Sequence, residues 1–167
     1  PPVKGIGNST TIPFDVDNID EARKVLLSLC EMVGMRLRQA GFCGRLVSVY
    51  LRRSDLTGMS HQRKFAGATD HTMKIYEHAC RLMEEIWPSK PLRGMGVRVS
   101  DLVPNDRLQL SLFEPYSEKK RRLDEAMDRL RMRFGPNAVM RSCFLQSGLA
   151  PVAGGVIENF QMMSSVL

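Results

Sequence analysis

Two stretches of this chain repeat their apolar residues every three or four positions, and each is bracketed by stretches that repeat them every second position. The first helical stripe is Ala22, Leu26, Leu29, Val33 and Leu37, the spacing of one face of an α-helix. The second is Ile75, Ala79, Leu82 and Ile86, with Met83 beside it. Residues 45–53 alternate: Val47, Val49 and Leu51 share one side with Arg45 and Arg53 at the ends, while Ser48, Tyr50 and Arg52 take the other. Residues 92–100 set Met95, Val97 and Val99 against Gly94, Gly96, Arg98 and Ser100. Residues 5–12 are small and β-branched and read as a strand ended by Pro13; residues 59–66 read as a poorer strand. The order β-α-β-β-α-β predicts an α+β, split βαβ (ferredoxin-like) sandwich, a four-stranded sheet with two helices on one face. The valine-rich side meets the helices. The other side must look at water or at a partner.

Local signals place the joints. Asp17 or Asn18 can cap the first helix, whose first turn holds Asp20 and Glu21, and Gly41 closes it. Thr69 or Asp70 can cap the second, and Pro88 stops it. Residues 101–107, with Pro104, Asn105 and Asp106, read as a linker. Ser117 can cap a third helix reaching about Phe134, with a thin apolar seam of Leu123, Met127, Leu130 and Phe134, and Gly135-Pro136 ends it. Residues 136–167 lack periodicity and fit either a small packed flap or disorder. The expected division is a sheet domain over 1–101, a linker with a peptide over 102–116, and a helix and tail over 117–167.

Charge placement carries more than the net charge of +6, since many basic proteins bind nothing anionic. The expected second to fourth strands hold Arg45, Arg52, Arg53, Arg63, Lys64, Arg93 and Arg98 against one acid, Asp55. An open face bearing Arg, Ser and Gly can lay its strands along a phosphate rail and donate to several phosphates at once, which positions without reading sequence. The competing explanation is that edge strands carry Lys and Arg to block aggregation. A sheet for single-stranded RNA would want aromatics on that face; only Tyr50 is well placed, and Phe65 fits either side.

The five residues Gln109, Leu110, Ser111, Leu112 and Phe113 are unusually apolar for a linker. Extended, Leu112 and Phe113 can enter an apolar pocket on a partner while Gln109 bonds its rim. Alternatively they tuck back onto the core or the third helix.

Catalytic signals are missing. There is no phosphate-binding Gly-rich loop, His61, His71 and His78 lack metal-ligand spacing, and the His71/His78 pair and Glu84-Glu85 read as solvated helix surface. The chain itself reads as non-catalytic, with no cofactor. Cys30, Cys43, Cys80 and Cys143 form no CxxC pair and read as buried free thiols in a reducing cytoplasm. No apolar stretch approaches membrane-spanning length, and no secretory leader is seen. The chain opens on Pro1-Pro2 and reads as a piece of something longer.

Residues 4–11 (Lys-Gly-Ile-Gly-Asn-Ser-Thr-Thr), 44–49 (Gly-Arg-Leu-Val-Ser-Val), 93–100 (Arg-Gly-Met-Gly-Val-Arg-Val-Ser) and 109–113 (Gln-Leu-Ser-Leu-Phe), in that order, resemble the C-terminal region, the little finger, of bacterial Y-family translesion polymerases of the DNA polymerase IV type. The resemblance implies the sheet fold expected above and a grip on primer–template DNA. It implies DNA contacts from Ser9, Thr10, Arg63, Lys64, Arg93 and Arg98, beside Arg45, Ser48, Tyr50, Arg52 and Gly94 of the sheet. It also implies that Gln109, Leu110, Ser111, Leu112 and Phe113 bind the β sliding clamp. A parent enzyme of this kind uses Mg and deoxynucleoside triphosphates in catalytic domains that this chain lacks, and a cytoplasmic monomer is expected. Gly5 departs from the family, where Ser is frequent, and removes one possible phosphate contact. The alternative is a ferredoxin-like RNA-binding or protein-interaction module whose peptide is coincidental.

Overall fold

A computed structural model describes residues 2–87, 89–107, 118–145 and 147. The elements run β1 (Gly5–Val16), α1 (Ile19–Gln39), β2 (Phe42–Arg53), β3 (Gly58–Thr69), α2 (Thr72–Ile86), β4 (Leu92–Pro104), a 3-10 turn (Asn105–Arg107), α3 (Glu118–Phe134) and a second 3-10 turn (Ser142–Phe144). The four strands form one antiparallel sheet in the order β1-β4-β2-β3, which is the expected split βαβ plan.

The two apolar stripes and the alternating strands meet in a single core. Leu26, Leu29, Val33 and Leu37 of α1 and Ile75, Ala79 and Leu82 of α2 pack on Val47, Val49, Leu51, Val97 and Val99, all almost wholly buried. Each such Val, Leu or Ile side chain contributes about 1.5–3 kcal/mol by leaving water. Phe65 joins this side, its ring edge-on to His78 at 4.8 Å.

Element ends differ from the sequence expectation for identifiable reasons. β1 runs through Pro13 to Val16, with a register shift between Thr11 and Val16; an edge strand tolerates a residue that cannot donate. β2 begins at Phe42, and β4 continues through the expected linker residues to Pro104, pairing Cys43 with Val103 and Phe42 with Pro104. Asn18, not Asp17, caps α1, its side chain accepting from the Glu21 amide at 2.9 Å. Gly41 follows the helix at φ +71°, a conformation that favours glycine. Neither Thr69 nor Asp70 caps α2: His71 holds that position without a side-chain cap bond. The Thr72 amide at the helix start donates instead to Asp124 Oδ2 at 3.3 Å, an acceptor brought in by α3. Pro88 and Ser117, expected to stop α2 and to cap α3, lie outside the described residues, as do residues 108–117 and most of the tail.

The third helix docks in an unexpected way. Its apolar seam does not face the domain: Leu123 is 59 % exposed and Phe134 is 65 % exposed, with Leu130 also exposed. The buried side is polar. Arg38 of α1 makes a two-point pair with Asp128, and its Nη1 also reaches Asp124 Oδ2 at 3.3 Å and the Asp70 carbonyl at 2.7 Å. Glu31, almost wholly buried, accepts from Arg131 Nη2 at 3.0 Å and from Arg141. Met32 and Met35 of α1 pack on Met132, and Phe144 is buried. Both long faces of α1 are thereby covered, and α3 forms a third layer behind the helices.

Candidate nucleic-acid interface

The face of the sheet turned away from α1 and α2 can be read directly from the strand register. Four rungs cross all four strands: Thr11–Gly94–Arg52–Gly58, Ser9–Gly96–Tyr50–Ser60, Gly7–Arg98–Ser48–Gln62 and Gly5–Ser100–Leu46–Lys64. None of these residues is acidic. Hydroxyls, amides, glycines and three cations make up nearly all of the surface. A shallow open groove runs over its middle, lined by Gly7, Ser9, Ser48, Tyr50, Gln62 and Arg98.

The glycines are seats for the long side chains. A Cβ on Gly5 would lie 2.7 Å from Arg98 Nε, and one on Gly7 would lie 3.0 Å from Arg98 Cβ. Arg98 therefore lies along β1 across two glycines, with its guanidinium over Gly5. Arg52 lies over Gly94 in the same way, 3.1 Å from its notional Cβ, and donates to Thr11 Oγ1 at 2.9 Å. Its Nε is buried without a hydrogen-bond partner. The Tyr50 ring covers Gly58 and stays partly exposed. Lying flat, the two guanidiniums leave the Ser9 and Thr11 hydroxyls beside them exposed on this face.

The expected contact residues divide. Ser9, Ser48, Tyr50, Arg52, Lys64, Gly94 and Arg98 share the open face. Thr10 does not: it has the parity of Ile6 and Ile12 and pairs with buried Met95, so Thr11 is the open-face hydroxyl of that pair. Arg63 is opposite Val47 on the helix side, where its Nη2 donates to Glu85 of α2 at 2.8 Å. Arg93 bonds Asp15 at 2.8 Å at the end of the sheet. Arg45 is exposed where the β2–β3 register shifts, apart from the rungs. Gln62, Ser60 and Thr11 were missed in the sequence; strict alternation carried back from Lys64 and Ser9 would have found them. Gln109, Leu110, Ser111, Leu112 and Phe113 lie outside the described residues.

The other chemistry-bearing residues are structural. His71 Nδ1 is 2.7 Å from Asp124 Oδ2, so this ring joins α2 to α3, and half-buried His78 lies against Phe65 and the Lys74 carbonyl; the pair is not solvated helix surface. Glu84 bonds Arg23 at 2.6 Å, and Glu85 joins Arg63 and His61, so this acid pair is engaged in ion pairs. Cys143 is exposed, unlike buried Cys30 and Cys43. Burial and the neighbouring Asp70 push the Cys43 thiol up to about 12. Among the described residues, no three His, Cys, Asp or Glu side chains converge as a metal site. No described helix is long and apolar enough to cross a membrane.

Residues 3–112 match the impB/mucB/samB family C-terminal domain. The chain belongs to that family. Its fold is that of the little-finger domains of Y-family polymerases. Curated relatives agree: it is 41 % identical over 146 residues to DNA polymerase IV 2 of Bacillus subtilis, covering 85 % of this chain and 35 % of that protein. It is 37 % identical over 159 residues to DNA polymerase IV of Pelotomaculum thermopropionicum, covering 94 % of this chain and 39 % of that one. The chain thus spans well under half the length of these relatives. Among solved structures, an insertion ternary complex of Dbh DNA polymerase shares the fold at a TM-score of 0.54 and 18 % identity, over 63 % of this chain and 32 % of that one. The little finger domain of PolIV, in its complex with the beta-clamp processivity factor, matches at a TM-score of 0.51 and 18 % identity, over 66 % of this chain and 99 % of that one.

Proposed function

We propose that this little-finger domain grips primer–template DNA through the open face of its sheet and docks on the β sliding clamp through residues 109–113. The observation that carries the first part is the set of four acid-free rungs with Arg52, Lys64 and Arg98 seated among glycines and hydroxyls. Such a face meets phosphates without reading bases. The apolar peptide supports the second part, since Leu112 and Phe113 suit an anchor pocket. A clamp tether raises the local concentration of the domain at the primer end.

The parent protein, on this reading, is an error-prone lesion-bypass polymerase working in the cytoplasm, with Mg and deoxynucleoside triphosphates held in domains outside this chain. The domain itself acts as a monomer, with residues 1–101 as the DNA-gripping part and 117–167 as an extension.

Fluorescence anisotropy on a labelled primer–template duplex tests the grip. The Arg52→Ala/Arg98→Ala variant should bind more weakly and lose about 1.8 from the salt slope, about 0.9 for each phosphate contact removed. An unchanged affinity and slope would refute it. Calorimetry against purified clamp, with Leu112→Ala/Phe113→Ala as the comparison, tests the tether: saturable binding lost in the variant is expected, and no binding by the parent chain would refute it.

A further inference from the structure

The third layer carries a groove away from the open face of the sheet. It lies where α3 passes the C-terminal end of α1, and its lining includes Ala126, Leu130, Phe134, Arg129, Arg133 and Gln39, together with Asp128 and Met132 on the side toward α1. Ala126, Leu130 and Phe134 are spaced by four, so they form one stripe along the helix.

Three observations specify what fits there. The stripe is apolar and outward, with Phe134 and Leu130 exposed. The exposed charges beside it are of one sign. Asp128 also lines the groove, but it is buried and held by Arg38; Asp124 is turned to Arg38 and His71, and Glu125 bonds Arg121. Arg129 and Arg133 are exposed at its rim, with Arg133 over the Phe134 ring at 5.2 Å. Finally, Gln39 Nε2 is buried without a hydrogen-bond partner, a donor left unsatisfied at a cost that an acceptor would relieve.

We infer that this groove is a second docking site, for an acidic peptide segment with a large apolar anchor. The anchor lies along Ala126, Leu130 and Phe134, acidic side chains face Arg129 and Arg133, and a carbonyl or carboxylate oxygen accepts from Gln39. Complementary charge around an apolar anchor is the usual division of labour in peptide recognition: the anchor supplies affinity, the rim supplies selection and encounter rate. The site is on the layer behind the helices, so its use does not compete with the open face of the sheet.

The test is amide chemical-shift mapping on the isotope-labelled chain. The probe is a synthetic peptide of about fifteen residues, with Leu and Phe at helical spacing and Glu elsewhere. A peptide with Lys in place of Glu and a single-stranded oligodeoxynucleotide serve as comparisons. The acidic peptide should give saturable shifts centred on Gln39, Ala126, Leu130 and Phe134. Leu130→Ser/Phe134→Ser should weaken it by about tenfold or more, and Arg129→Glu/Arg133→Glu should reverse the preference toward the Lys peptide. Both pairs are exposed, so a folded spectrum is expected for each. Equal binding of the two peptides would overturn the assignment. So would the absence of shifts at the groove, or tighter binding of the oligonucleotide there.

Discussion

Arg38 and Asp128 stand ninety residues apart in the chain and meet end to end, Nε to Oδ2 at 2.6 Å and Nη2 to Oδ1 at 3.0 Å, both nearly out of solvent. This two-point pair fixes α3 to the back of α1, where the apolar seam of α3 does not. Removing one partner of a buried pair leaves the other charge uncompensated, at a cost of about 3–5 kcal/mol. Arg38→Ala should therefore release α3 and lower the unfolding midpoint, while Leu123→Ala on the exposed seam should change stability little. Hydrogen exchange of α3 amides checks this: fast exchange in the first variant and parent-like protection in the second are expected.

Acid should loosen the same joint. Burial pushes the Asp124 carboxyl up, but the hydrogen bond from His71, the Arg38 charge and the Thr72 amide outweigh it, and the net direction is down. A depressed folded value means a contribution present above the unfolded value, about 3.9, and lost as pH falls through the folded one. Asp124→Asn should be less stable than the parent at neutral pH, and the gap in thermal midpoint should narrow below about pH 4. Glu31 and Asp70 shift the opposite way, burial being the first cause for both, and the Asp124 charge adds to the rise at Asp70, so the variant also eases that shift.

On the sheet, Gly5 is the test of how Arg98 is held. A methyl group there meets the Arg98 guanidinium at 2.7 Å and the Val99 carbonyl at 3.0 Å. Gly5→Ala should push the Arg98 side chain off β1 and lower duplex affinity, with a salt slope reduced by up to about 0.9, as if one phosphate contact were lost. Anisotropy titrations at several salt concentrations would show it. A residue that resembles a lost hydroxyl contact in the sequence is, in three dimensions, the seat of a cation.

Thiol accessibility separates the four cysteines. At pH 8 an alkylating reagent should modify exposed Cys143 first, while Cys30 and Cys43, buried and with thiols pushed up by loss of solvent, should react only on unfolding. Mass spectrometry of timed samples reads the order.

What the sequence made legible is what periodicity encodes. The stripes of α1 and α2 and the alternation of β2 and β4 predicted the layers, the sheet and the open face. Parity carried Ser48, Tyr50, Arg52 and Arg98 to that face correctly. Arg63 and Thr10 enter through the resemblance, beside Lys64 and Ser9, and not through parity; adjacent strand residues point to opposite sides, so only Lys64 and Ser9 of these pairs reach the open face. The docking of α3 was not legible because its contacts are polar and distant: nothing local in Asp124, Asp128 or Arg131 marks them for Arg38, Glu31 or an α2 amide. The apolar residues of α3 drew attention to the wrong face.

The difference between Arg63 and its neighbours leads to the most direct measurement. Amide shifts of the isotope-labelled chain, followed while a primer–template duplex is added, would place the DNA on the molecule. If the open face grips the backbone, the largest shifts fall on Ser9, Ser48, Tyr50, Gln62, Gly96 and Arg98, with α1, α2 and Arg63 little changed, and they fade as salt is raised. Shifts centred on the helices or on α3, with the four rungs silent, would contradict it.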